Sequence, residues 1–268
     1  MAERLKDRVA IVTGGGTGIG KAIARAFVQE GAKVVLAART VANLEATAKE
    51  LREMGGMALV VPTDVSIEQQ VINMVGETIK AFGKIDIMVN NSGIAGPTAN
   101  VVDLKLEEWN EILAIDLTGG MLCSREALKH MIPRRSGNII NVGAEGGRAG
   151  DGRSGYPMRA AYCCAKIGVI GLTETLAQEV GEYNIRVNAI SAAAVSGERF
   201  DRIIMGRAKA QGIPFEDAMK KAMEKYALRR ATKESELGST AVFLASDESS
   251  AITGQTICAH SGLAIQFK

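Results

Sequence analysis

The sequence predicts a three-layer, doubly wound α/β fold built on a seven-stranded parallel sheet. Short apolar runs rich in β-branched residues recur along the chain, and longer stretches with helical spacing separate them. This alternation is typical of a parallel sheet with helices on both faces, and continuous apolar strands indicate that both faces are buried. The predicted strands are Val9–Val12, Val34–Ala37, Ala58–Val61, Ile85–Val89, Ile139–Val142, Ile185–Ile190 and Thr256–Cys258. The predicted helices include Ile67–Phe82, Leu106–Met131, Cys163–Gly181 and Glu234–Ala245.

Residues 1–268 are predicted to form one large domain, because 47% of them are hydrophobic and no linker or repeat interrupts the chain. Two segments look like insertions after strand ends, where open α/β sheets bind ligands. The first is Gly143–Arg159, rich in glycine and arginine, and the second is 196–228, which reads as two helices around Gly212-Ile-Pro214. We predict that the second insertion forms a small helical lid over a small-molecule substrate.

Composition argues against several classes of partner. The formal net charge of +2 predicts neither a nucleic-acid surface nor a membrane-binding face. No signal-like start is present, and no run reaches the roughly 18 apolar residues of a membrane span, so we expect a cytoplasmic location. The four cysteines lack metal-ligand spacing, and we expect the adjacent Cys163 and Cys164 to pack within a helix.

A glycine-rich string, Thr-Gly-Gly-Gly-Thr-Gly-Ile-Gly at 13–20, separates the first strand from a helical stretch at Lys21–Phe27. In such a strand–turn–helix, backbone N–H groups and the positive end of the helix dipole face an anion, and glycine lets a diphosphate approach closely. This context predicts a dinucleotide phosphate site rather than an ordinary turn. The predicted contacts in the string are Gly14, Gly16, Thr17, Gly18, Ile19 and Gly20.

The end of the second strand bears on the choice of cofactor. An acidic residue there binds the ribose 2′-hydroxyl of NAD(H), whereas a basic residue pairs with the 2′-phosphate of NADP(H). This chain has Ala38 followed by Arg39. NADP(H) is therefore favoured over NAD(H), and the alternative is a solvent-facing Arg39 without a cofactor contact.

The next two strands also end in polar groups. Thr63-Asp64-Val65 offers a carboxylate that can accept from the adenine amino group, although Asp64 is equally suited to cap a helix starting near Ser66. Asn90-Asn91-Ser92-Gly93 suits packing against the adenosine ribose, and turn chemistry is the alternative explanation. We predict cofactor contacts at Asp64, Val65, Asn91 and Gly93.

Tyr162 and Lys166 are four residues apart, so on a helix they share one face. A tyrosine with its ordinary pKa near 10 exchanges protons poorly at pH 7, and a neighbouring ammonium stabilises the phenolate and lowers that pKa. Beside a nicotinamide, the pair predicts an acid/base group, Tyr162, next to a hydride donor.

Taken together, the chain resembles the short-chain dehydrogenase/reductase family over essentially its whole length. The resemblance is carried by Thr13–Gly20, Asn90–Gly93, the Tyr162/Lys166 pair, Asn184–Ile190 and Gly254–Thr256. It implies a Rossmann-type sheet, a homodimer or homotetramer, and hydride transfer between a nicotinamide and a carbonyl or alcohol. It also implies that Tyr162 and Lys166 contact the cofactor, with Lys166 on the nicotinamide ribose, and that Val195 lies at the carboxamide.

Several positions depart from the family pattern. Ala144 stands where the family places a serine that holds the substrate oxygen, eighteen residues before Tyr162. Asp116 stands where the family has an asparagine that shapes a helix bend and carries a proton-relay water. Ala192-Ala193 replaces the usual Pro-Gly, and 259–262 replaces the usual closing Val-Asp-Gly-Gly.

Three functions compete for this altered site. The first is carbonyl/alcohol chemistry with Tyr162 as acid/base and a loop hydroxyl such as Ser154 replacing the serine. The second is reduction of a conjugated C=C bond, since peroxisomal-type 2,4-dienoyl-CoA reductases resemble this chain in having Asp and Ala at these places; Asp116 is then the candidate acid. The third is a nucleotide-binding homologue without catalysis.

Other candidate residues have structural alternatives. Asp116 is also suited to be a partner for Lys166 or an N–H acceptor at a helix kink. Glu145 is expected to face solvent. His130 is expected at a helix end before Pro133, and His260 is expected to pack at a subunit interface.

The insertions carry charged and aromatic residues that bear on the substrate. The arginines are suited to an anionic substrate such as a carboxylate or an acyl-CoA, and solvated loop charges are the alternative. Some aromatic residues are suited to line an apolar wall. The arginines are Arg148, Arg153, Arg159, Arg199, Arg202 and Arg207, and the aromatics are Tyr156, Phe200, Phe215 and Tyr226.

Overall fold

A computed structural model describes residues 3–144, 155 and 157–263. These residues contain a seven-stranded parallel sheet in the order β3-β2-β1-β4-β5-β6-β7, and every predicted strand is confirmed. The strands are β1 Val9–Thr13, β2 Lys33–Ala38, β3 Ala58–Pro62, β4 Ile87–Asn90, β5 Gly137–Ala144, β6 Ile185–Ala192 and β7 Thr256–Ala259.

Helices follow the strands in alternation. The predicted helix Leu106–Met131 is interrupted, because a π-helical turn at Ala114–Thr118 separates its two halves. The helices are α1 Gly18–Gln29, α2 Val41–Glu53, α3 Glu68–Phe82, α4 Leu106–Leu113, α5 Gly119–Met131, α6 Ala160–Val180, α7 Glu198–Gln211, α8 Phe215–Met223 and α9 Glu234–Ala245.

The sheet is covered on both faces, which makes the fold a three-layer α/β structure. One apolar core joins the sheet to α1, α2 and α9, and a second joins the opposite face to α3, α5 and α6. Alternate strand residues serve the two cores: Ala10 and Val12 belong to the first and Ile11 to the second. Polar side chains inside the strands are exceptions, and several are hydrogen-bonded, as Asn141 is to Thr173 and Asn188 is to the Ile252 carbonyl.

The strand order reverses between β1 and β4, whose neighbouring ends form a topological switch point. In open α/β sheets, ligands bind outside the carboxyl ends of strands at such a point. The glycine-rich string follows β1, and Asn90–Gly93 follows β4, so the fold brings these two predicted contact segments together.

The second predicted insertion forms two helices, α7 and α8. Gly212, with φ of +64°, ends α7 in the left-handed conformation, and Pro214 precedes α8. The helices pack on each other through Ile204, Ala208 and Ala218. Of the first insertion, residues 145–154 and 156 lie outside the described part of the chain, so the predictions for Glu145, Arg148, Arg153, Ser154 and Tyr156 concern residues that are not described.

One expectation about membranes needs correction. The segment Ala160–Tyr183 is long and apolar enough, by length and composition, to cross a bilayer, and 44% of its most apolar window is buried within the protein. Core helices of α/β proteins pass the same test. Here the segment contains α6, which packs on the second apolar core through Ala177 and Val180.

The prediction for the paired cysteines is confirmed for only one of them. Cys163 is buried on the inner face of α6, but Cys164 is exposed, because neighbouring residues on a helix point about 100° apart. Within the described residues, no group of three or more His, Cys, Asp or Glu side chains is placed to hold a metal ion.

Candidate active site

The glycine string makes a turn that only glycine can close. Gly14 and Gly18 have positive φ angles of 65° and 55°, a conformation that L side chains rarely adopt. A Cβ on Gly20 would lie 2.3 Å from the Gly14 carbonyl oxygen. The turn therefore starts α1 directly at the sheet edge, and its first N–H groups form a potential anion site. Thr17 occupies the N-cap position and makes no side-chain capping bond within the described structure.

A pair of polar residues joins the ends of β1 and β4. The Thr13 hydroxyl donates to the Val89 carbonyl (3.2 Å) and accepts the backbone N–H of Asn91 (2.9 Å) and Ser92 (3.1 Å). The Asn91 amide donates back to the Thr13 carbonyl at 2.9 Å. These bonds fix the switch point. They give Asn91 a structural role in addition to its predicted ribose contact, and they give Thr13 a role that the sequence analysis missed.

Arg39 lies just after β2, and its side chain is 58% exposed. Its Nη1 is 3.9 Å from Oδ2 of Asp64, a long and weak ion pair. Asp64 accepts the Ser66 backbone N–H (3.0 Å) and hydroxyl (2.6 Å). The N-cap expectation for Asp64 is wrong, since α3 begins at Glu68 with Ile67 as its N-cap, and Asp64 stabilises the preceding turn instead.

Tyr162 and Lys166 lie one turn apart on α6, as predicted. The Lys166 Nζ atom is 5.5 Å from the centre of the Tyr162 ring and 3.0 Å from Oδ2 of Asp116. The Asp116 side chain is fully buried and that of Lys166 is 8% exposed, whereas Tyr162 is only partly buried. Tyr162 is thus the most accessible of the three residues, and the ion pair is almost entirely shielded from solvent.

Two features of the backbone build this ion pair. The π-helical turn at Ala114–Thr118 carries Asp116, whose Oδ1 accepts the Ile94 N–H at 2.7 Å. A Cβ on Gly93 would lie 3.1 Å from Oδ2 of Asp116 and 3.3 Å from Nζ of Lys166. Both structural alternatives for Asp116 are therefore present: it is the partner of Lys166 and an N–H acceptor where the helix is interrupted. Gly93 keeps the room that the pair needs.

A buried polar network lies beneath the site and was not found from the sequence. The Asn90 side-chain amide donates to the Ser124 hydroxyl and to the side-chain oxygen Oδ1 of Asn141, each at 2.8 Å. Asn141 in turn donates to the Thr173 hydroxyl at 2.8 Å. The four residues come from β4, α5, β5 and α6, so no local pattern indicates the contact.

Other predicted positions lie at the same edge of the sheet. Val65 is buried against the start of α5, where a Cβ on Gly119 would lie 2.6 Å from it. Val195 follows β6 and pairs in parallel with Thr232. Ala194 before it adopts a positive φ of 42°, which is uncommon for alanine. The described residues thus gather the predicted cofactor contacts around the carboxyl ends of β1 to β6.

The two histidines lie at the ends of α5 and β7. His130 is in the last turn of α5, as predicted. His260 is 7% exposed, and its Nδ1 accepts the Leu263 N–H at 3.2 Å. Its predicted contact with another subunit stays a prediction.

Of the six predicted arginines, three have described side chains, namely Arg159, Arg202 and Arg207, and convergence of the set on an anionic substrate stays a prediction. Arg202 is exposed, and its Nε donates to the Glu198 carbonyl within α7. Arg207 is exposed on the same helix. Arg159 differs, because its guanidinium lies over the Tyr162 ring, 4.9 Å from the ring centre. For Arg199 the described structure gives no side-chain placement.

The described members of the predicted aromatic wall, Phe200, Phe215 and Tyr226, lie in two clusters that share Phe200. Tyr226 and Phe200 pack in a cluster with Ala193, Met223 and Leu263. Phe215 packs between the two lid helices with Ala218. These side chains hold the lid segment together, and a substrate contact for them stays a prediction.

The site fits a dinucleotide. The turn at Gly14–Gly20 offers helix N-terminal amides without side chains in the way, which is the chemistry a diphosphate needs. The buried Lys166 ammonium and the partly exposed Tyr162 lie at the same edge of the sheet. Together these groups can bind a nucleotide and exchange a proton with a neighbouring oxygen.

Comparisons with known proteins agree with this geometry. A family model described as enoyl-(acyl carrier protein) reductase matches residues 14–264. The chain is 33% identical over 262 residues to the 3-oxoacyl-[acyl-carrier-protein] reductase FabG of Thermotoga maritima, covering 98% of this chain and 100% of that protein. Two solved structures are similar at 31% and 29% identity. NAD⁺-bound xylitol dehydrogenase has a TM-score of 0.88 and covers 96% of this chain and 99% of its own. A substituted actinorhodin polyketide ketoreductase with NADPH has a TM-score of 0.89 and covers 99% and 100%.

Proposed function

We propose that this chain, which belongs to the short-chain dehydrogenase/reductase family, reduces a carbonyl to an alcohol or catalyses the reverse reaction with a nicotinamide cofactor. The family establishes an oxidoreductase that uses NAD(P)(H). The observation that supports the finer assignment is the contrast at α6: a partly exposed Tyr162 beside a buried Lys166 ammonium.

In this mechanism Tyr162 moves the proton. A bound nicotinamide supplies or accepts the hydride. The Tyr162 hydroxyl donates its proton to the substrate oxygen during reduction and takes it back during oxidation. Lys166 stabilises the phenolate that forms, because its positive charge is held in a buried site where Coulomb interactions are strong.

Asp116 is assigned a positioning role. Both of its oxygens face groups of the protein, Oδ1 toward the Ile94 N–H and Oδ2 toward the Lys166 ammonium, and its side chain has no exposure. An acid that protonates a substrate must reach it. The geometry of Asp116 therefore favours Tyr162 as the acid and argues against the C=C reduction that would use Asp116.

Because Ala144 replaces the family's serine, fewer hydrogen-bond donors are left to hold the substrate oxygen. Alanine at position 144 offers no hydrogen bond, and removal of one oxyanion donor typically costs about 10²–10³ in turnover. We therefore expect slow turnover on simple ketones, unless the substrate supplies other contacts that orient it.

We further propose a preference for NADP(H). Arg39 is exposed at the end of β2, and its only ion-pair contact among the described residues is the long one to Asp64. A guanidinium in this state is free to pair with a 2′-phosphate.

The test is a matched set of cofactor and substrate titrations on the whole protein. NADPH and NADH binding is measured for wild type and Arg39→Ala, and cofactor oxidation is followed with ketones, oxo acids and conjugated enoyl compounds. We expect carbonyl turnover, and NADPH affinity that falls about tenfold in Arg39→Ala while NADH affinity holds. Turnover of enoyl compounds alone would overturn the carbonyl assignment. Tighter NADH binding that ignores Arg39 would overturn the cofactor preference.

A further inference from the structure

We infer that Arg159 binds a carboxylate carried by the substrate close to its reacting carbonyl. This inference rests on the proposed function, because it takes Tyr162 as the group that meets the substrate oxygen. It narrows the substrate from a carbonyl compound to a small oxo acid or hydroxy acid.

The position of Arg159 is the first support. It is the N-cap residue of α6, three residues before Tyr162. Its guanidinium carbon lies 4.9 Å from the Tyr162 ring centre. The Tyr162 hydroxyl is attached to this same ring, so a carboxylate on the guanidinium and a carbonyl oxygen at the hydroxyl can belong to one small molecule.

The charge of Arg159 is the second support. Among the described residues its side chain has no carboxylate within ion-pair distance, and its one polar contact is Thr98 Oγ1 at 3.4 Å, at the edge of hydrogen-bond range. Most of its five N–H donors therefore have no acceptor among the described residues, and their planar arrangement matches a carboxylate. By contrast, Arg125, Arg134 and Arg230 are each paired with a carboxylate.

The short distance also decides between two kinds of anionic substrate. In an acyl-CoA, the phosphates are separated from the reacting thioester by the long pantetheine arm. A guanidinium stacked beside the Tyr162 ring is too close to the reacting atoms to serve those phosphates. A carboxylate one or two carbons from the carbonyl places its charge at the required distance.

Such a contact also compensates for Ala144. A bidentate guanidinium–carboxylate pair fixes the orientation of a small substrate. The carbonyl oxygen is then held at Tyr162 without the serine that the family uses.

The experiment compares acids with their neutral esters. Wild type, Arg159→Met, Arg159→Lys and Arg135→Met are assayed with 2-oxo and 3-oxo acids and with the corresponding methyl esters. Arg135 is the matched control, because its guanidinium also lies over a tyrosine, 5.7 Å from the Tyr183 ring, at the other end of the sheet. Malonate, a dicarboxylate that cannot be reduced, is titrated in parallel, and the thermal stability of the cofactor complex reports its binding.

We expect Arg159→Met to raise KM for the acids about tenfold or more and to leave the esters unchanged. Arg159→Lys should recover part of the loss, Arg135→Met should show none, and malonate should stabilise wild type but not Arg159→Met. An unchanged KM for the acids would overturn the inference. An equal loss on acids and esters would also overturn it, because Arg159 would then act on Tyr162. If no carbonyl compound reacts, the proposed function fails, and the malonate titration still decides the inference by itself.

Discussion

An aspartate is buried beside a cation at each end of the sheet, and the two aspartates differ in how many groups of the protein contact their carboxylates. At the amino end, Asp86 before β4 is 3% exposed. Its carboxylate accepts the Val9 N–H at 2.9 Å and pairs with Lys84 at 2.8 Å and with Arg134. Burial by itself would raise the pKa of Asp86, but the Lys84, Val9 and Arg134 contacts outweigh it and lower that pKa.

At the carboxyl end, Asp116 and Lys166 form a sparser pair. Oδ2 of Asp116 has the Lys166 ammonium at 3.0 Å without good hydrogen-bond alignment. Buried side-chain atoms without a hydrogen-bond partner cluster at this end in the described part of the chain. They are Asn90 Oδ1, Asp116 Oδ2, Ser191 Oγ and His260 Nε2, with Asn138 Oδ1 as the exception at the amino end.

This difference indicates that the amino end of the sheet contributes mainly to stability and the carboxyl end mainly to function. Native structures satisfy nearly all buried polar groups, so unsatisfied ones require an explanation such as an absent ligand or water. At the amino end, both carboxylate oxygens of Asp86 have partners, and these contacts hold β1 and the start of β4 together. The carboxyl end leaves unsatisfied buried atoms on Asn90, Asp116, Ser191 and His260, at the edge of the sheet where ligands of this fold class bind.

The largest expected effect that tests this separation is loss of the Tyr162 hydroxyl. Tyr162→Phe keeps the ring under Arg159 and removes the proton donor. We expect turnover to fall about 10²–10⁴-fold with no change in Tm, because the hydroxyl makes no hydrogen bond in the described structure. Steady-state kinetics and thermal denaturation measure the two quantities.

Tyr183→Phe is the control, since Tyr183 also lies under a guanidinium but at the amino end. It should leave turnover intact. Wild-type turnover in Tyr162→Phe would move the acid role to another residue.

The second-largest expected effect is on stability and concerns Asp86, at the amino end of the sheet. Asp86→Asn keeps the acceptor for the Val9 N–H and removes two charge-assisted contacts. We expect the free energy of unfolding to fall by about 2–4 kcal/mol, with turnover per folded molecule unchanged. Urea denaturation measures this change.

The pH dependence gives a further check on Asp86. Its folded-state pKa is lowered, so its stabilisation is present above the pKa of the unfolded chain and is lost as pH falls through the folded value. The difference between wild type and Asp86→Asn should shrink in acid. Asp247→Asn is the control, because the Asp247 side chain is 90% exposed and its ion-pair partner among the described residues is Arg8, at 3.2 Å. An equal loss there would mean that burial is unimportant.

The sequence predicted most of the fold because its signals are local. Each strand is a short apolar run, and each helix has its own spacing, so the order of elements could be read along the chain. The Tyr162–Lys166 pair was predictable for the same reason, since four residues on a helix fix a shared face. The glycine string was predictable because its strand and helix are its sequence neighbours.

The contacts that could not be predicted from the sequence join segments that are distant along the chain. Asp116 is fifty positions from Lys166, and only the packing of the π-helical turn against α6 decides that they pair. Asp86 and Arg134 gave no signal, because a charged residue beside a strand is most often solvated. The Arg159 contact lies within one helical turn, but the sequence could not tell a loop charge from a residue stacked on Tyr162.

A third, smaller effect tests the pair at the carboxyl end. Asp116→Asn keeps the shape and the acceptor for the Ile94 N–H but removes the negative charge beside Lys166. We expect turnover to change less than tenfold, because Tyr162 and Lys166 both remain in place and Asp116 only positions the ammonium. A loss as large as that of Tyr162→Phe would make Asp116 the proton donor and favour C=C reduction.

The smallest expected effect concerns an unpaired acid beside the glycine string. Glu234 begins α9, and its Oε1 would lie 3.1 Å from a Cβ on Gly197 and 3.7 Å from one on Gly18. Burial raises the pKa of Glu234, with Lys21 opposing the rise. A raised folded-state pKa stabilises only below the unfolded value, so as pH rises through the folded value the charged Glu234 destabilises the protein.

We therefore expect Glu234→Gln to raise Tm slightly at pH 7 to 8 and to leave it unchanged near pH 4. It should also strengthen dinucleotide binding, because a carboxylate near the phosphate site repels the diphosphate. Glu236→Gln, two residues along the same helix, is the control of opposite sign, since Arg230 and the Lys233 N–H lower the pKa of Glu236 to about 2. It should lower Tm at neutral pH. If both variants moved Tm in the same direction, the local environment of each carboxylate would not determine its effect on stability. The explanation from the pairing of Glu236 and the burial of Glu234 would then be wrong.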